Sequence, residues 1–268
     1  MPSDDEWKSQ IELASTQRSR AIRATEYRRS PLGSFAAPPL IACEDGEEYW
    51  VKHMYKSDGC YPTSRSFQTG GMITDHIVAF FAGKIVDDVV PPGRLIDLTE
   101  LALVEERLSQ ACPSVAHGSR NASKNCTGSS SFIEGGHNGL AINRKRVAGI
   151  AVLYGLALAA DHQVIYRLDG DPLVYSVDHG HFFPGGPTWT EIGLNGALQA
   201  SVDSVVVRDC SISPEELIEP MNRLRNIKTS DIAQAVAAPP DDWFFPQSDR
   251  IAVARYLWSR RDTLLEGF

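Results

Sequence analysis

The chain has 268 residues, of which 43% are hydrophobic and 22% charged, and this composition is typical of a soluble globular protein with one large domain or two lobes. A formal net charge of −8 argues against nonspecific binding to bulk nucleic acid or to an anionic membrane. The first ten residues lack the basic and apolar regions of a secretory signal, and no apolar run approaches the roughly 20 residues of a membrane span. We therefore expect a cytoplasmic protein. Its five cysteines form no CxxC pair, which predicts reduced thiols.

The amino-terminal part of the chain predicts a polar leader followed by strands. Residues 1–20 are mostly polar and form either the leader or a short helix. Residues typical of strands, bounded by residues typical of turns, predict three strands over 21–27, 39–42 and 48–54. The first two are expected to form a hairpin with a loop over 28–38. The third strand carries Lys52.

A helix and a further pair of strands are predicted next. Ile73, Ile77 and Phe80 recur at helical spacing, which indicates a helix over 72–82 with Asp75 in its first turn, where a carboxylate favours the helix dipole. Residues 86–98 predict two strands joined by a turn at Pro-Pro-Gly. Valines precede this turn and apolar residues follow it. These elements complete a sheet-rich unit over 21–105.

From residue 106 to residue 268 the chain predicts a mainly helical unit. Residues 114–139, which include His117, lose periodicity and are rich in Ser, Asn and Gly, so we expect a long functional loop there. Apolar runs predict a buried helix, a short strand and then three carboxy-terminal helices: 146–160, 173–177, 215–226, 230–237 and 249–265. The predicted fold class is α+β, a single domain with a sheet-rich first lobe and a helical second lobe.

Two acidic clusters directly follow the buried helix and the short strand. The first is Asp161-His162-Gln163 and the second is Asp178-His179-Gly180-His181. Carboxylate and amide oxygens suit Mg²⁺, whereas histidine together with carboxylate suits zinc, manganese or iron. Two metal chemistries therefore stay open, a magnesium site and the His/Asp centre of a metal-dependent phosphohydrolase. The histidines also suit a hydrogen-bonding role beside the carboxylates.

The order of these motifs resembles that of the HipA-like kinases, relatives of the protein kinase and phosphatidylinositol kinase fold. The resemblance spans about residues 49–190 and is carried by Tyr49-Trp50-Val51-Lys52, Asp75, Asp161-His162-Gln163 and the run from Tyr175 to Gly180. It implies a two-lobed protein-kinase-like fold that binds ATP and Mg²⁺ between its lobes. The implied reaction moves the γ-phosphoryl group of ATP to a hydroxyl, with Ser or Thr of a protein as the expected acceptor.

The resemblance also implies a role for each matching residue. Lys52 would hold the α- and β-phosphates, and Asp75 would orient it from the position where these kinases have a glutamate one methylene longer. Asp161 would be the catalytic base, and Asp178 would bind magnesium with help from Gln163.

A phosphate-binding loop is expected upstream of the Lys52 strand. Backbone amides of a Gly/Ser loop can cradle phosphate, and Gly33 and Ser34 stand where such a loop belongs. An ordinary surface turn is the alternative for this segment.

The chain also departs from the family pattern. The resembled kinases usually have Asp-Arg-His after the apolar helix and an asparagine five residues beyond the aspartate, whereas this chain has His162 and then Tyr166 at those positions. Tyrosine is a poor magnesium ligand. This departure favours a second hypothesis, a catalytically impaired, nucleotide-binding pseudokinase that acts as an interaction module.

Overall fold

The structure is a computed structural model that describes residues 1–29, 38–55, 67–108, 111–121, 126–129, 139–167 and 170–268. Five strands form a closed barrel in the order β1-β2-β3-β5-β4: β1 Ile22–Arg29, β2 Leu40–Cys43, β3 Glu48–Tyr55, β4 Gly93–Asp97 and β5 Ala111–Arg120. Neighbouring strands are antiparallel except β1 and β4, which pair in parallel and close the barrel. Closure removes the exposed sheet edges that an open sheet of this size would have. The barrel core contains Ile41, Val51, Ile96 and Ala116, all fully buried.

Strand β5 lies where the sequence predicted a loop, so that part of the prediction is wrong. The strand pairs with β3 on one side and β4 on the other, and it contains His117, which is only 1% exposed. Gly118 is required by close packing, because an added Cβ would lie 2.5 Å from the Ile96 side chain. Strand β5 is paired on both edges and contains mainly small and polar residues. It therefore lacks the alternation of apolar and polar residues by which strands are recognised in a sequence.

The predicted strand around Val89 and Val90 is also wrong, and only β4 forms from the 86–98 segment. Pro91 and Pro92 have no N–H group to donate to a ladder, which disfavours a continuous strand. Val89 is instead buried in an irregular segment, and its carbonyl oxygen accepts a hydrogen bond from the backbone N–H of Ser176 at 2.9 Å.

The first helices extend the predictions. Helix α1, Asp4–Ser15, forms within the segment predicted as a polar leader, begins at a capping box between Ser3 and Glu6, and buries Trp7 and Ile11 in the same core as the carboxy-terminal helices. Helix α2, Phe67–Ile85, is longer than predicted at both ends. Asp75 therefore lies near the middle of α2, and the prediction that it stabilises the first turn is wrong.

The remaining helices mostly follow the predictions. They are α3 Leu101–Val104, α4 Ala141–Ala157, α5 Glu191–Gly196, α6 Ser204–Asp209, α7 Pro214–Arg225, α8 Thr229–Ala237 and α9 Gln247–Glu266. The buried helix and the three carboxy-terminal helices are confirmed as α4, α7, α8 and α9, whereas α5 and α6 are too short for periodicity to reveal them. None of the described helices combines the length and hydropathy needed to cross a bilayer.

A second, smaller sheet carries the acidic clusters. It contains β6 Cys126–Ser129, β7 Val164–Arg167 and β8 Val174–Ser176, paired antiparallel in the order β6-β7-β8. Strand β8 confirms the predicted short strand. The larger hydrophobic core, which joins α1, α2, α4 and the carboxy-terminal helices, also receives Val164, Tyr166 and Val174 of this sheet.

Candidate functional site

Lys52 lies between two carboxylates that come from distant parts of the chain. Its Nζ donates hydrogen bonds to Oδ2 of Asp75 and to Oδ1 of Asp178. Lys52 belongs to barrel strand β3, Asp75 to the middle of helix α2, and Asp178 lies two residues after Ser176, the last residue of strand β8. The structure thus brings together three of the residues that the sequence singled out, at the junction of the barrel and the helical core.

The electrostatics of this group follow from burial and pairing. The Asp75 side chain is 3% exposed, whereas those of Lys52 and Asp178 are 26% and 36% exposed. Burial alone would raise the pKa of Asp75, but the Lys52 ammonium and hydrogen bonds from His179 outweigh it and hold that pKa well below its usual value. Burial alone would likewise lower the pKa of Lys52, but the two carboxylates raise it. Asp75 and Lys52 are therefore both charged at neutral pH.

Asp75 is also held by His179, for which the sequence suggested a hydrogen-bonding role beside a carboxylate, although it pointed to Asp178 rather than Asp75. The backbone N–H of His179 donates to Asp75 Oδ1 at 2.6 Å, and the His179 Nδ1 lies 3.5 Å from the same oxygen. On its other side, His179 Nε2 hydrogen-bonds to Ser176 Oγ at 2.7 Å, which in turn contacts the Tyr154 hydroxyl at 2.7 Å. This buried chain links helix α4 to helix α2 through the residue that follows Asp178.

The backbone of Asp178 adopts an uncommon conformation. Its φ of 58° and ψ of 59° place it in the left-handed region, which aspartate tolerates better than most residues. Nearby, an added Cβ on Gly180 would lie 3.4 Å from both Asp75 Oδ2 and the Gly71 Cα, so helix α2 packs closely against this turn. A non-glycine residue held in this region by its surroundings is common at functional sites.

Asp161 and Gln163 form a second pair close to the first group. Gln163 Nε2 donates to Asp161 Oδ2 at 2.6 Å, and the Gln163 carbonyl oxygen accepts from the backbone N–H of Val177 at 3.1 Å. The bond from Val177, the residue before Asp178, therefore joins the second acidic cluster to the first. Within the described part of the chain, the side-chain carbonyl oxygen of Gln163 and Oδ1 of Asp161 accept no hydrogen bond, so each can accept one from another partner.

The other residues of the two clusters have structural partners. His162 Nε2 lies 3.0 Å from Asp203 Oδ2, and Asp203 caps helix α6 by accepting from the Val206 N–H. Burial would raise the pKa of Asp203, but the His162 contact and the capping bond lower it. Tyr166, at the position where the resembled kinases have asparagine, lies in β7 and is 1% exposed, so it belongs to the core.

The histidine-based metal hypothesis receives no support from the described residues. Within them, no group of three or more His, Cys, Asp or Glu side chains is placed to hold a metal ion. His162 and His179 have separate partners, Asp203 and Ser176, rather than converging on one point. The predicted phosphate-loop residues Gly33 and Ser34 lie outside the described residues.

Comparisons with known proteins yielded likenesses only among solved structures. No family model matches the chain, and no curated protein matches it. A crystal structure of the Golgi casein kinase is similar with a TM-score of 0.45 and 13% identity, over 98% of this chain and 77% of that chain. The same kinase with Mn/ADP bound is similar with a TM-score of 0.45 and 14% identity, over 100% and 77%. None of these comparisons shows membership of the HipA-like kinases.

Proposed function

We propose that this chain is an ATP-dependent phosphotransferase of HipA-like type, with a two-lobed protein-kinase-like fold made by the barrel and the helical core. The observation that carries the proposal is the position of Lys52 between Asp75 and Asp178. Kinase sites need a strand lysine paired with a helix carboxylate, together with a second carboxylate that binds a metal ion. The three elements that supply these residues here have the same order along the chain.

Lys52 is suited to hold phosphate oxygens while it remains paired. An ammonium group has three N–H donors, and two of those of Lys52 reach Asp75 and Asp178. The third remains for a phosphate oxygen of ATP. Asp75 fixes the position of the ammonium, since its other oxygen is bound by the His179 backbone.

The carboxylates fit a hard divalent cation such as Mg²⁺ or Mn²⁺. Asp178 is partly exposed and has one oxygen that Lys52 does not use, and the Gln163 side-chain oxygen is a second candidate ligand. Such an ion neutralises charge on the phosphates when it is bound. Asp161 would accept or orient the hydrogen of the acceptor hydroxyl through Oδ1, because Gln163 holds its Oδ2. We propose Ser or Thr of a protein as the acceptor.

A nucleotide-binding pseudokinase is the second candidate, and one observation favours it. Tyr166 is in the core, so the position at which related kinases have their second metal ligand supplies none here. Binding without turnover would then be the function of the site. The phosphohydrolase alternative has no such observation in its favour.

Calorimetric titration with ATP, with and without Mg²⁺, tests the proposal when the same samples are assayed for ADP release and phosphoprotein. Mg²⁺-dependent binding with turnover is the result expected of a kinase. Binding without turnover would favour the pseudokinase, and no binding in either condition would refute both. Asp178→Asn is the matched variant, because it preserves size while removing the charge that a metal ion needs, and it should abolish the Mg²⁺ dependence.

A further inference from the structure

A cavity of about 400 Å³ lies between helix α2, strand β4, helix α8 and the segment that follows helix α1. This volume is within the range of small-molecule sites. The cavity is lined by Ala14, Gln17, Arg18, Ser19, Arg20, His76, Phe80, Gly93, Arg94, Leu95, Gln234 and Ala238. It contains none of the residues assigned above to phosphoryl transfer, although His76 directly follows Asp75 in α2.

The charge of this cavity is opposite to that of the chain. Three arginines, Arg18, Arg20 and Arg94, line it, and no acidic residue is among its described lining residues. The chain as a whole has a formal net charge of −8. A local concentration of guanidinium groups in an acidic protein raises the local concentration of anions.

Two of the three arginines are available to a ligand. Arg18 has structural partners, because its Nε donates to the Ala237 carbonyl oxygen at 2.8 Å and its Nη2 lies 3.3 Å from Asp241. In contrast, neither Arg20 nor Arg94 forms an ion pair within the described part of the chain. Among the described residues, the hydrogen-bond acceptor of Arg94 is the carbonyl oxygen of its neighbour Gly93, at 3.1 Å.

The rest of the lining indicates what else the ligand carries. Gln17, Ser19 and Gln234 add neutral hydrogen-bonding groups, whereas Phe80 and Leu95 form an apolar wall. His76 contacts His117, with 3.2 Å between their Nδ1 atoms, and burial together with His117 lowers the pKa of His76 to about 3. His76 is therefore a neutral hydrogen-bonding group at physiological pH.

We propose that this cavity binds a small organic phosphate, with the phosphate group at Arg20 and Arg94 and the organic part against Phe80 and Leu95. A single carboxylate is satisfied by one bidentate arginine, whereas a phosphate dianion has three terminal oxygens and suits several guanidinium groups at once. The ligand would contact His76 of helix α2, next to Asp75 in the chain. Its binding would therefore affect the position of the helix whose Asp75 holds Lys52. The proposal does not depend on phosphoryl transfer at Lys52.

Calorimetric titration of the full chain with phenyl phosphate tests this proposal, with inorganic phosphate and benzoate as comparison probes. We expect phenyl phosphate to bind more tightly than inorganic phosphate, and benzoate more weakly than phenyl phosphate. Arg20→Gln and Arg94→Gln should each reduce phenyl phosphate affinity about tenfold, the loss typical of one charge-assisted hydrogen bond. Arg208→Gln is the matched control, because Arg208 is an exposed arginine outside the cavity, and it should leave the affinity unchanged.

The outcomes separate this site from the Lys52 site. Asp178→Asn should keep phenyl phosphate binding, and Arg20→Gln should keep ATP binding. The proposal is overturned if phenyl phosphate does not bind, if Arg208→Gln weakens binding as much as the cavity variants, or if Asp178→Asn alone abolishes it. Binding only of a phosphoserine peptide would also overturn it, in favour of a protein ligand.

Discussion

Replacing Lys52 by methionine leaves a buried carboxylate without its charge partner. Asp75 is 3% exposed, and removing one member of a buried ion pair costs about 3–5 kcal/mol of stability. The loss should lie near the lower end, about 3 kcal/mol, because Lys52 is partly exposed and Asp75 keeps the His179 N–H at 2.6 Å. Urea unfolding at pH 7, followed by circular dichroism, measures this free energy of unfolding directly.

The loss in Lys52→Met should depend on pH in a defined direction. In the wild type the Asp75 pKa is held low, so the stability that this pairing contributes is present above the unfolded value of about 3.9. Without Lys52, burial raises that pKa above the unfolded value, and the folded variant takes up a proton that the unfolded chain does not. The difference between variant and wild type should therefore be largest at pH 7 and shrink towards pH 4. A difference that is constant over this range would refute the buried-charge explanation.

A double variant separates the structural role of Lys52 from its proposed role in nucleotide binding. Lys52→Met with Asp75→Asn removes both charges and should recover most of the lost stability, because no unpaired charge remains buried in helix α2. Its affinity for ATP should stay as low as that of Lys52→Met alone. If the double variant regained wild-type affinity, Lys52 would have no part in the nucleotide site.

Three further predictions concern catalysis, acid stability and packing. Asp161→Asn should abolish phosphoryl transfer with little effect on ATP affinity, as measured by ADP release beside calorimetry; retained turnover would exclude Asp161 as the base. Burial lowers the pKa of His76 to about 3, so below about pH 6.5 the unfolded chain binds a proton that the folded chain does not, and stability falls as the pH falls. His76→Gln should reduce this slope of the unfolding free energy against pH by up to about 1.4 kcal/mol per pH unit. An unchanged slope would contradict the prediction. Gly70→Ala places a Cβ 1.8 Å from the Pro187 carbonyl oxygen and should cost about 1–3 kcal/mol of stability. Gly83→Ala is the matched control in the same helix, because its added Cβ has no neighbouring atom within 4 Å, and it should stabilise the protein by about 0.5–1 kcal/mol. Equal effects of the two variants in thermal unfolding would count against the close approach at Gly70.

The residues of the candidate site could be predicted in part because their order along the chain is informative. Lys52 on a strand and Asp178 just after a strand were both placed correctly from local patterns, and the structure brings them into contact. The interaction between Asp75 and His179 was not predictable in this way. It joins residues 104 positions apart in the chain through a backbone N–H, and a backbone donor leaves no signature in the sequence.

Two errors in the fold prediction, at strand β5 and helix α2, have a common physical origin. Strand β5 and helix α2 both contain glycines and polar residues where tertiary contacts require them, and these residues weaken the local pattern. In β5, Gly118 admits the Ile96 side chain, so the position is small because of a neighbour from another strand. Periodicity measures the burial of one face of an isolated element, and it therefore fails where two elements approach closely.

The same close approach brings the short side chain of Asp75 within reach of two partners. Because aspartate is one methylene shorter than glutamate, its reach to Lys52 and to the turn at His179 depends on helix α2 lying close to both. Gly70 allows this, because its backbone comes so close to Pro187 that no side chain fits, and Gly71 and Gly180 face each other across the same contact. The short carboxylate then reaches both Lys52 and the His179 N–H. The glycines of α2 and the short side chain at residue 75 thus depend on the same close packing, and a glutamate at residue 75 should be accommodated only if the helix moves away from this turn.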